Sequence, residues 1–209
     1  KTVLLKNITT ISQIKKYQGD IDNLLMQGEY EALEEIISHI ENQFGFSVWS
    51  INVRIIIYLA KNDYSNLQSF FDEIKNKTSE PLFTDILRVT GWKSQSVDAD
   101  IIIETMVRRS TREFIEGNAL DIAAIYSLFC APYPLYDDVD FSHALIFLQT
   151  LNVIDLYLSI IKITTYCIAH DDFDNIPKPE LIDLFEALNN EVNCQKHSHI
   201  ISMLKSTPL

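Results

Sequence analysis

The 209-residue chain reads as an all-α protein, and three observations carry that reading. Apolar residues make up 47% of it and aromatics 11%, which is enough to bury a core and too much for a disordered chain. Five Gly and six Pro are too few for a loop-rich or all-β protein. Apolar residues also recur at helical spacing in two stretches 34 residues apart. The chain is near the upper end of single-domain size, so one core or two closely packed halves are both open.

Aligning residues 21–43 with 55–77 pairs Ile21 with Ile55, Leu25 with Leu59, Tyr30 with Tyr64, Leu33 with Leu67, Ile40 with Ile74 and Asn42 with Asn76. Conservative pairs follow the same register: Glu29 with Asp63, Ile36 with Phe70, Ile37 with Phe71. Each copy carries a turn, Gly28-Glu29-Tyr30 in the first and Asn62-Asp63-Tyr64 in the second. Gly and Asn tolerate the left-handed conformation that ends a helix, and an acid just after it favours the start of the next. The spacing therefore predicts helices near residues 8–27, 29–43, 47–61 and 63–77, paired as antiparallel hairpins, with Ser47 and Asp63 as N-caps.

This pattern resembles the tetratricopeptide repeat over two units, residues 14–77, through the 34-residue period and the Gly28-x-Tyr30 turn. Leu33 stands where that family has a small Ala, Ile21 and Ile55 replace its small first-helix residue, and no proline closes either unit. The resemblance implies hairpins stacked as in an α-solenoid, with a concave face offered to a peptide or protein. No carboxylate-clamp pattern is present to carry across.

Glu80-Pro81 and the polar run around Gly91 interrupt the pattern, so residues 1–90 read as the hairpin region and 91–209 as a second helical region packed with it. A helix is expected from Ser96 or Asp98 to Gly117 and another from Asn118 to about Cys130. The two prolines of residues 131–140 make a loop, and Asp140 is placed to cap the apolar stretch Phe141–Ala169. Asn152, Asp155 and Lys162 interrupt that stretch too often for a membrane span, so it reads as a core helix or pair. A further helix opens around Pro179-Glu180 and a last one covers residues 190–205, giving nine or ten helices that end as a bundle.

The net charge of -12 is uneven: residues 1–112 hold 13 Lys or Arg against 15 Asp or Glu, and residues 113–209 hold 4 against 14. An acidic half repels phosphate backbones and attracts basic partners, so a protein or peptide, a basic one included, is expected rather than nucleic acid. Three cysteines, Cys130, Cys167 and Cys194, cannot all pair within the chain, which favours a reducing, cytoplasmic setting.

The chemistry-bearing clusters are sparse. Asp171, Asp172 and Asp174 superficially resemble the aspartate-rich metal motif of helical prenyl-transferring enzymes, but Asn175 follows and no second motif accompanies it. Cys194, His197 and His199 lack a fourth nearby zinc ligand and read as exposed polar residues of a terminal helix. There is no serine elbow and no phosphate-cradling glycine loop. Arg108 and Arg112 lie one turn apart and could clasp an anion, or pair with Glu104 and Glu116 along the helix. Trp49, Trp92, Tyr133 and Tyr136 fall at helix starts or in loops, where aromatics often anchor a partner. With Arg54, these residues are the candidate binding set.

The expectation is a non-catalytic protein- or peptide-binding helical module without metal or cofactor, such as an adaptor, a regulatory sensing domain or an inhibitor of the immunity-protein kind. The competing expectation is a metal-dependent all-α enzyme acting on an isoprenoid or phosphate substrate through Asp171, Asp172 and Asp174.

Overall fold

A computed structural model describes residues 1–77, 152–171, 173 and 177–206, and all regular structure among them is helical. The helices are α1 (Thr2–Lys6), α2 (Ile8–Gln27), α3 (Tyr30–Phe44), α4 (Val48–Ala60), α5 (Tyr64–Lys77), α6 (Val153–His170), α7 (Lys178–Val192) and α8 (Gln195–Ser206). The boundary expected between residues 90 and 91, and the helices expected from residue 96 to residue 151, lie outside the described residues. The chain divides into two compact units, one of Lys1–Asp20 with Asp140–Leu209 and one of Ile21–Val139, so the dividing point at residue 20 falls inside α2.

In the second unit α3 packs on α4 and α4 on α5, through loops of three residues each. Short loops make neighbouring helices antiparallel. Three of the paired apolar positions are buried alike, Ile21 and Ile55, Leu33 and Leu67, and Ile40 and Ile74, all at most 3% exposed, whereas in the two conservative apolar pairs Ile37 and Phe70 are buried and Ile36 and Phe71 only half-buried. The turns agree in detail as well. Gly28 N–H donates to Leu25 O and Glu29 N–H to Leu24 O, while Asn62 N–H donates to Leu59 O and Asp63 N–H to Tyr58 O. Both are the paired 5→2 and 6→1 bonds of a Schellman motif, closed by a residue at positive φ, +75° at Gly28 and +56° at Asn62.

This geometry explains why Gly and Asn stand at those positions. A Cβ on Gly28 would meet only Tyr30 Cε2 at 4.0 Å, so space does not forbid a side chain; the backbone conformation does. Gly28→Ala should cost about 1–2 kcal/mol, the left-handed penalty of an L-residue, whereas Asn62→Gly should be within about 1 kcal/mol of neutral. Urea denaturation of the two variants measures the difference.

Ser47 caps α4 as the sequence indicates. Its Oγ accepts from Ser50 N–H at 2.9 Å, and Ser50 Oγ accepts from Ser47 N–H at 3.2 Å, a reciprocal capping box. Asp63 caps α5 by accepting from Asn66 N–H at 3.3 Å and from the Asn66 amide at 2.6 Å.

In the first unit α1 and α8 both pack on α6, and α7 with α8 forms a tight hairpin. Asn152 begins α6 by accepting from Ile154 N–H at 2.9 Å. Residues 141–151, where this apolar stretch was expected to start, are outside the described residues. By length and composition α6 is one helix that could cross a membrane, and its apolarity is spent on burial: Ile154, Tyr157, Ile163 and Cys167 are each at most 5% exposed.

The expected last helix at 190–205 is corrected at its start. α7 runs on to Val192, Asn193 turns the chain at φ +45°, and α8 begins at Gln195. The Asn189 side chain sets this turn, its Oδ1 accepting from Cys194 N–H at 3.2 Å and Ser198 Oγ–H at 3.3 Å.

Candidate functional site

The second unit carries a groove of about 900 Å³ lined by residues of α3, α4, the α4–α5 turn and α5. Four carboxylates, Glu31, Glu34, Glu35 and Asp63, face two cations, Arg54 and Lys61, with Ser38, His39, Asn42, Tyr58 and Asn66 completing the wall. The excess of acid follows from helical spacing. Glu31, Glu34, Glu35 and Ser38 share the face of α3 opposite its buried stripe of Leu33, Ile37 and Ile40.

Both cations are already engaged. The Arg54 Nε–H donates to Glu41 Oε2 at 2.7 Å, the second nitrogen lies 2.7 Å from the same oxygen, and the guanidinium also donates to Ser38 Oγ at 3.0 Å. Its carbon stands 5.5 Å from the centre of the Phe70 ring, against which Tyr58 also packs. Burial works against the charge on Arg54, and the hydrogen bond and attraction of Glu41 overcome it, so its pKa is raised. Lys61 reaches Glu34 at 3.1 Å and Glu31 at 3.4 Å, and the Glu34 hydrogen bond leads the effects that raise its pKa.

The carboxylates are engaged unequally. The Asn66 side chain, then its backbone N–H, hold Asp63 below the usual carboxylate range. Glu35 is exposed and takes part in no ion pair among the described residues. With Arg54 spent on Glu41 and Lys61 shared between Glu31 and Glu34, the groove presents net negative charge to solvent. Such a surface can hold cations and hydrogen-bond donors.

Of the residues singled out in the sequence, Arg54 lies in this groove. Trp49 sits half-buried in the first turn of α4 and is not part of the lining. Trp92, Arg108, Arg112, Tyr133 and Tyr136 lie outside the described residues, as do Asp172 and Asp174. Asp171 is the left-handed residue closing α6, at φ +52°. No group of three His, Cys, Asp or Glu that could hold a metal ion occurs among the described residues. Sequence reasoning missed Glu41, which fixes Arg54; its signal is a carboxylate placed on the buried stripe of α3, one position after Ile40.

The reading of His197 as an exposed residue is overturned. Its ring is fully buried, with Nε2 2.7 Å from Tyr157 Oη. Phe185 packs against the ring with centroids 5.7 Å apart. The reason is periodicity: His197, Ile200 and Leu204 fall on one face of α8, and that face is the one buried.

Compared with protein-family models, curated proteins and solved structures, the chain finds no match.

Proposed function

We propose that this chain is a non-catalytic binding module whose groove on α3, α4 and α5 takes a basic segment of a protein partner. The observation that carries the reading is the charge balance of the groove, in which the cations are internally paired and Glu35 is left exposed. Complementary charge steers such a segment into place and selects against acidic ones. The packing of α3 on α4 and of α4 on α5 brings the groove's lining residues together.

Selection from a random peptide display library tests this without a known partner. Sequences rich in Lys and Arg are expected, with binding that weakens as salt rises. The variant Glu31→Lys with Glu35→Lys should bind the selected peptides about tenfold or more weakly. Selected sequences without basic residues, or equal binding by the reversed variant, would refute the reading.

A further inference from the structure

The Tyr157–His197 pair belongs to the first unit, and nothing in the proposed binding uses it. Its geometry is unusual in one respect. The His197 ring is 0% exposed and Nε2 is satisfied by Tyr157, but Nδ1 has no hydrogen-bond partner among the described residues. A neutral imidazole tolerates this at the cost of one unpaired polar atom. An imidazolium does not, because both nitrogens then carry hydrogens and, among the described residues, only Tyr157 Oη is there to accept one.

The surroundings offer no compensation among the described residues. From α6 the ring meets the Tyr157 phenol, at 5.8 Å between centroids in an edge-on arrangement, and from α7 the Phe185 ring. The charges bearing on it are Lys15 of α2 and Lys196 of α8 itself, both positive. Cys194, just ahead of α8, bears on Tyr157. The α7 carboxylates Asp183 and Glu186 are tied at the surface to Lys1 and Lys205.

We propose that the seam between α6 and α8 is an acid-sensitive latch: uptake of one proton by His197 is incompatible with the docked helix and releases α8 from α6. Burial, with Lys15 and Lys196 adding to it, holds the imidazole down to about 4. The same group titrates at about 6.5 in an unfolded chain. Between those two values the released state binds a proton that the docked state refuses, so docking weakens as pH falls from about 6.5 and the loss is complete by about 4. Burial also pushes the Tyr157 phenol up, so Tyr157 stays neutral throughout this range.

Amide hydrogen exchange across residues 195–206, corrected for intrinsic rates, tests the latch in the intact chain. Moving from pH 7 to pH 4.5 should reduce protection about fiftyfold in the native protein. His197→Gln, which keeps a neutral donor and acceptor at this position, should flatten that dependence. Unchanged protection in the native protein, or the same loss in His197→Gln, overturns the latch. If His197→Gln does not fold, proton NMR of the His197 ring in the native protein decides. Titration near 4 together with loss of α8 protection supports the latch, and titration near 6.5 with α8 still protected refutes it.

Discussion

Arg54→Ala should destabilise the protein by about 3 kcal/mol or more, because it leaves the Glu41 carboxylate buried without its counter-charge. The Glu41 side chain is 5% exposed, its Oε2 depends on Arg54, and its Oε1 has no hydrogen-bond partner among the described residues even with Arg54 present. Losing the guanidinium would also take away the hydrogen bond that the Ser38 hydroxyl accepts and remove the cation from the face of Phe70. The opposite outcome is expected when both partners go. Arg54→Met with Glu41→Leu replaces a desolvated pair by apolar side chains of similar length, and such exchanges are often neutral or stabilising. Urea midpoints of the two single variants and the double variant form a cycle whose coupling separates the worth of the pair from the cost of stranding one charge. A small effect of Arg54→Ala alone would mean that water reaches Glu41.

Phe185→Ala should cost about 3–5 kcal/mol, the range for removing a buried aromatic ring and leaving a cavity. Phe185 is 0% exposed and sits where α7 faces His197, so the cavity opens beside the imidazole. The variant thus has a second readout besides its denaturation midpoint. With the ring less desolvated, the His197 pKa should move up from about 4 toward the ordinary histidine value. A variant that loses stability while His197 keeps its low pKa would show that the two lysines, rather than burial, set it.

Much of the second unit was legible in the sequence because its signals are local. The turn residues Gly28 and Asn62, the caps Ser47 and Asp63, and the apolar stripes are each read within a few positions, and the observed helices begin and end within one residue of the expected limits for α3 to α5. Arg54 was singled out, but its partner Glu41 is 13 positions away across a loop, and no local pattern reports a pairing between helices. His197 failed for a different reason. Its polarity points to solvent, although Ile200 and Leu204 place it on the buried face of α8. A polar residue in phase with an apolar stripe is the signal of a buried pair, and both Glu41 and His197 give it. The Asn193 turn was passed over because Asn189 acts through its side chain, which periodicity does not register.

Whether the groove of α3, α4 and α5 receives a basic segment is decided by titrating the isotope-labelled protein with a selected Lys- and Arg-rich peptide and following the amide NMR shifts. The shifts should concentrate on residues 31–42 and 54–66, around Glu31, Glu35, Arg54, Lys61 and Asn66. Shifts concentrated instead on residues 152–206, with the groove unmoved at saturation, would contradict binding in the groove.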